Sequence, residues 1–247
     1  TENWGTGSSS ITTTGQITGG SGQQEQTVDA TGIYVYNNST AKNITVRAKN
    51  VEGIGHGIVA NNLGSGTTEI IVSGAVISRG TLEEEGAEGI HTLGASATVT
   101  VNSAGSVTGE GEGIETSENA DVVTVRGSVT GKNGTAIKLN GGADTVVIAT
   151  NATISGMIDG GDGSDTAKFG FAKAAIDSFS YDQITYSATT TTNGLTTTFK
   201  SFENFQFSDD EIAMTTSETR TYFERFDFKP VTITIGPTDN GSTRSLF

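Results

Sequence analysis

The chain has 247 residues, with 34 Gly, 2 Pro, no Cys and a formal net charge of −14. That length allows one or two domains with a real core, and the lack of Cys excludes a disulfide framework and thiol chemistry. The acidic balance argues against nucleic acid and anionic membrane as partners, and no apolar run is long enough for membrane insertion.

The start, Thr1-Glu2-Asn3-Trp4, reads as a mature end or a boundary rather than a signal peptide. Residues 1–30 are rich in Gly, Ser, Thr and Gln, with short strand-like pieces at Ser10-Ile11-Thr12 and Gly15-Gln16-Ile17-Thr18. They are expected to form an irregular first coil or N-terminal cap.

From residue 31 a degenerate repeat appears. Its first element is Gly32-Ile33, Gly57-Ile58, Gly89-Ile90, Gly113-Ile114 and Ala136-Ile137, with isoleucine spacings of 25, 32, 24 and 23. Its second element is an alternating run: Asn43 to Val46, Glu69 to Val72, Ala97 to Val101, Asp121 to Val125 and Asp144 to Ile148. A third, such as Ala75-Val76-Ile77 or Ser106-Val107-Thr108, follows and is soon ended by Gly. Three short strands per unit of roughly 24 residues, each alternating with period 2, predict an all-β fold: a right-handed parallel β-helix (β-solenoid) over residues 31–171. A β-sandwich is the rival reading. On the first reading the five isoleucines form one interior ladder. No unit can bury its apolar face alone, so units must stack.

The spacing of 32 carries an insertion near Arg79 to Glu88, which maps to a loop on one side of the stack. Acids at Glu83, Glu84, Glu85, Glu88, Glu110, Glu112, Glu115 and Glu118 could line one edge, with Arg79, Arg126 or Lys138 as a cation. That pattern would suit a polysaccharide-acting lyase or hydrolase; no diagnostic spacing supports it, and a solvated acidic edge is the plainer reading. His56 and His91 flank Gly57-Ile58 and Ile90, so they could face each other on adjacent units as a metal pair, or be ordinary surface histidines.

Two glycine-aspartate turns close the repeat region. Gly141, Gly142 and Asp144 precede one strand, and Gly160, Gly161, Gly163 and Asp165 precede the next. Glycine frees the backbone to turn its carbonyls inward, and aspartate adds the hard oxygen that calcium prefers. Asp144, Gly160, Asp162, Gly163 and Asp165 are therefore candidate Ca2+ ligands, with capping of the turns by the same aspartates as the alternative.

Beyond this point the composition changes. All 11 Phe lie from Phe169 onward, and 31 of the 34 Gly lie at or before Gly170. Residues 172–247 are expected to form an aromatic-rich C-terminal β region. Asn193-Gly194 is a hairpin turn signal. Phe223, Phe226, Phe228, Val231, Ile233 and Ile235 alternate too apolarly for a free tail, which suggests a cap or a self-association strand.

Residues 158–171, Ile-Asp-Gly-Gly-Asp-Gly-Ser-Asp-Thr-Ala-Lys-Phe-Gly-Phe, followed by the Phe202 to Asp210 segment, resemble the end of RTX-type secreted calcium-binding bacterial proteins. The likeness covers residues 158–213. Residues 31–157 are also similar to β-helix passengers of autotransporters and adhesins. These resemblances imply a secreted, extracellular or cell-surface structural protein: a surface-layer, adhesin or filament subunit that forms homo-oligomers or filaments. Calcium and a cell-surface polysaccharide are the ligands they suggest. An excised autotransporter passenger is the alternative within the same class.

Overall fold

The computed structural model describes residues 1–19, 31–80, 87–176, 178–182, 187–192, 195–209, 211–213, 219–223 and 230–234. It is all-β, with a single 3-10 turn at Lys173–Ala175 as the only helix among the described residues. No described helix is long and apolar enough to cross a membrane.

Three parallel ladders run through the protein. The first pairs Glu2–Asn3, Ile33–Asn37, Ile58–Asn62, Ile90–Gly94, Ile114–Glu115 and then the later part of Ser128–Lys138. The second pairs Ser9–Thr12, Ile44–Ala48, Thr68–Val72, Ala97–Val101, Val122–Val125, Thr145–Ile148, Thr166–Phe169 and Asn204–Gln206. The third pairs Gln16–Thr18, Asn50–Gly53, Ala75–Ser78, Ser106–Gly109 and the start of Ser128–Lys138. One long strand, Ser128–Lys138, thus belongs to both the first and third ladders and curls them into one sheet.

Side-chain alternation sets what each ladder buries. Ile33 pairs with Ile58, Ile58 with Ile90, Ile90 with Ile114, and Ile114 with Ile137. The last four are fully buried and Ile33 is 5% exposed, so the expected isoleucine ladder is present. Ile158 and Phe199 extend it. The third ladder stacks Val51, Val76, Val107, Val129 and Ile154. The second stacks Val46, Ile70, Val99, Val123, Val146, Ala167 and Phe205. Ala167 is small where its neighbours are branched, and its partner Phe205 is large, so core volume is kept across the pair. Ile90→Ala is expected to cost about 3 kcal/mol, the usual scale for truncating a buried isoleucine. Leu93→Ala, at a 37% exposed side chain, is expected to cost under about 1 kcal/mol by chemical denaturation.

The corners between the third and first ladders require small residues. A Cβ on Gly89 would lie 2.5 Å from Val107 Cγ1 and 2.6 Å from the Gly113 carbonyl oxygen. Gly32, Gly57 and Gly113 meet Val51, Val76 and Val129 in the same way. The repeated Gly-Ile pair is therefore a packing rule: the valine of the third strand fills the space above the glycine.

Of the irregular first coil or N-terminal cap expected for residues 1–30, residues 1–19 are a first coil, and a regular one. Their three strands continue all three ladders in register, with Ser9 opposite Ile44 and Ile17 opposite Val51. Two of them, Ser9–Thr12 and Gln16–Thr18, fall on the strand-like pieces read from the sequence; residues 20–30 lie outside the described set.

The aromatic region plugs the same core. Phe169 stacks on Phe207 at 4.8 Å between ring centroids, and Phe199 meets Phe202 and Phe205 edge-on at 5.6 Å each. One apolar cluster runs from Ile33 to Phe207, so the compositional change at Gly170 is not a break in the core. Here the first and second ladders turn antiparallel, through Ser187–Thr192 and Ser178–Asp182 on one side and Glu211–Ala213 on the other.

Candidate functional site

The glycine-aspartate turns stack on one another. Gly141 pairs with Asp162, Gly142 with Gly163, and Thr145 with Thr166, which places Asp144 over Asp165. These aspartates point inward. Asp121 Oδ1 accepts the Ala97 N–H at 2.5 Å, Asp144 Oδ1 accepts the Asp121 N–H at 2.7 Å, and Asp165 Oδ1 accepts the Asp144 N–H at 2.9 Å. Glu203 Oε2 continues the series by accepting the Asp165 N–H at 2.7 Å. Asp121, Asp144 and Asp165 are each no more than 1% exposed.

Burial, followed by the neighbouring acids, raises these carboxyls against the lowering effect of the amide bonds. Asp144 is pushed up to about 7 and Asp165 to about 6, and burial also raises Asp121. The remaining oxygens, Asp144 Oδ2 and Asp165 Oδ2, have no hydrogen-bond partner. Asp165 Oδ2 lies 2.6 Å from where a Cβ on Gly160 would be.

This arrangement does not fit the calcium site expected at Asp144, Gly160, Asp162, Gly163 and Asp165. Calcium takes six to eight converging oxygens. Asp162 is exposed while Asp144 and Asp165 face the core, one carboxylate oxygen of each occupied by a backbone amide. Asp144 belongs to the first turn and the other four residues to the second, and the carboxylates of Asp162 and Asp165 face opposite ways.

Ion pairs run from one repeat to the next, on the acidic edge and on the second ladder. Arg79 pairs with Glu52 and Lys132 with Glu110. Arg47 reaches Glu69 at 3.1 Å, Lys138 reaches Glu115 at 2.7 Å and Lys200 reaches Asp159 at 2.7 Å. In the first ladder, His91, Glu115, Lys138, Asp159 and Lys200 form one column by register. Arg79 and Lys138, the cations a polysaccharide-cleaving site would use, are thus held by acids, and Arg126 is simply exposed. Glu83, Glu84 and Glu85 lie outside the described residues.

Part of this edge is buried. His56, Glu88 and Glu112 each precede a Gly-Ile pair, so they stack at one corner beside the Val59, His91, Glu115 column. His56 Nδ1 lies 2.7 Å from Glu88 Oε2, and His91 Nδ1 lies 3.9 Å from the same oxygen. The two imidazole centroids are 5.6 Å apart. Glu88 is 7% exposed. Burial pushes its carboxyl up, but the two histidines outweigh this and hold it below the usual range. Burial lowers His91 despite the nearby Glu115 and Glu88. The facing histidines are legible from their spacing. In the sequence Glu88 reads only as one acid of the edge; its join to the two histidines is what sequence reasoning misses, although its place before Gly89-Ile90 matches that of His56 before Gly57-Ile58.

No protein-family model, curated protein or solved structure matches the chain.

Of the expected association residues, Phe223 lies on strand Thr219–Phe223, and Val231 and Ile233 on Pro230–Thr234. These strands pair antiparallel as a two-stranded sheet of their own, with Tyr222 opposite Val231 and Arg220 opposite Ile233. Phe226, Phe228 and Ile235 lie outside the described residues.

Proposed function

We propose that this chain is a right-handed parallel β-helix that serves as an extracellular structural protein of a bacterial cell surface and self-associates head to tail. The observation that carries this reading is the difference between its two ends. Among the described residues, Glu2–Asn3, Ser9–Thr12 and Gln16–Thr18 each pair on one side only, whereas two of the three ladders turn antiparallel at the other end. An open strand edge is a template for strand addition. The hairpin of Thr219–Phe223 and Pro230–Thr234 is suited to supply that strand, because two-stranded sheets are marginal alone. A head-to-tail contact of this kind propagates unless it closes. The acidic, cysteine-free composition and the order of the 158–171 and 202–210 motifs support the extracellular assignment.

Calcium is not required in this reading: Asp144 and Asp165 face the core and each holds a backbone amide with one oxygen. Light scattering is expected to find the full chain in concentration-dependent assemblies, unchanged by calcium or a chelator. Deleting Thr221 to Phe247 is expected to leave monomers with intact β-sheet circular dichroism. Assembly that survives the deletion, or unfolding of the shortened chain, contradicts the proposal.

A further inference from the structure

We infer that His56, Glu88 and His91 form a binding site for one borderline divalent cation of the zinc class, which ties two successive repeats together. The three residues offer ligand atoms that lie within 4.8 Å of one another. They come from two repeats: His56 precedes the strand Ile58–Asn62, while Glu88 and His91 bracket the start of Ile90–Gly94. Register holds them together, because Ile58 pairs with Ile90 and Gly57 N–H donates to the Glu88 carbonyl at 3.1 Å.

Burial and unmet bonding point to a ligand. Glu88 is only 7% exposed, and its Oε2 is aimed between the two imidazoles. His56 Nδ1 and Glu88 Oε2 approach to 2.7 Å, yet neither atom has a hydrogen bond of acceptable geometry. A buried carboxylate oxygen and a buried imidazole nitrogen left this way are costly. A cation between them would satisfy both. Two ligands at about 2.0–2.1 Å from a tetrahedral ion stand about 3.3 Å apart. The separations of 2.7 and 3.9 Å from Glu88 Oε2 bracket that value, so small side-chain rotations suffice.

The donor set selects the metal class. Two imidazoles and one carboxylate suit zinc, cobalt, nickel or copper, whereas calcium and magnesium take oxygen ligands. Glu115 stands next to His91 in the column, but Lys138 holds it at 2.7 Å. The site also sits at the foot of the inserted segment, where the isoleucine spacing rises to 32 between Ile58 and Ile90. An ion there would brace the repeat that carries the insertion.

The chain contains only 2 His, so each can be read without ambiguity. The test is a long-range 1H–15N spectrum of the untagged chain, titrated with zinc chloride at neutral pH. Both Nδ1 resonances are expected to move to the metal-bound range together and to saturate at one equivalent. The thermal midpoint is expected to rise by several degrees, and calcium chloride is expected to do neither. In the His56→Asn and Glu88→Gln variants, each first checked by circular dichroism, zinc affinity is expected to fall at least 10-fold. If neither histidine nitrogen moves, if only one does, or if saturation needs several equivalents, the site does not exist as described. That readout uses the parent chain alone and so stands even where a variant fails to fold.

Discussion

Replacing Asp144 with asparagine is expected to raise the stability of the protein above pH 7 and to flatten its dependence on pH. Asp144 and Asp165 have folded-state values of about 7 and about 6, against 3.8 for an exposed aspartate. Folding therefore takes up protons at these carboxyls. The stability this confers is complete below about pH 3.8 and is lost as pH rises through about 6 and about 7. Above that range the core must hold stacked carboxylates, flanked by Asp121, Glu118, Glu203 and Asp159. The substituted side chain would carry no charge, and its amide oxygen would still accept the Asp121 N–H. A raised pKa of this size corresponds to on the order of 2–4 kcal/mol at pH 8. Denaturant melts of parent and Asp144→Asn at about pH 3.5 and at pH 8 measure it: the two proteins are expected to differ little below the unfolded value of 3.8 and widely at pH 8. Asp144→Ala, which removes the acceptor as well, is expected to lose about 1–3 kcal/mol at about pH 3.5.

Gly89→Ala is expected to destabilise the protein by about 1–3 kcal/mol, whereas Gly111→Ala, just ahead of the corner at Gly113, is expected to be close to neutral. The added methyl at Gly89 meets Val107 and the Gly113 carbonyl oxygen, both part of the ladder core. At Gly111 the nearest atom to a new Cβ is 3.6 Å away, an ordinary contact. Ala136 occupies the corner equivalent to Gly113 one repeat on, where the strand register shifts between Thr130 and Ile137. Chemical denaturation of the two variants side by side separates this packing rule from any general cost of replacing glycine. Equal losses at both positions contradict it.

The isoleucine ladder is legible in the sequence because one face of each strand is uniformly apolar and recurs with the Gly-Ile phase. The stacking of the two glycine-aspartate turns is legible for the same reason. The direction of the aspartates is harder to read, because a turn that exposes Asp to an ion and one that buries it share the same residues. Parity separates them: Asp121, Asp144 and Asp165 each sit two positions before an inward residue, Val123, Val146 or Ala167, and so lie on the inner face. Ser9–Thr12 and Gln16–Thr18 are visible as strand-like pieces, but their regular place in the ladders is not, because Ser and Thr pair in a ladder while leaving little hydropathy signal. The facing of His56 and His91 is legible from their places beside Ile58 and Ile90, whereas the addition of Glu88 needs the corner residues, one before each Gly-Ile pair, to be read as a column of their own.

Head-to-tail stacking of a parallel β-helix makes a distinct image, and electron cryomicroscopy of the untagged chain at rising concentration tests it most directly. The predicted result is rods one chain wide, with an axial layer line at about 4.8 Å from strands stacked across the long axis. Dispersed single particles at every concentration, or fibres with strands running along the axis, would contradict it.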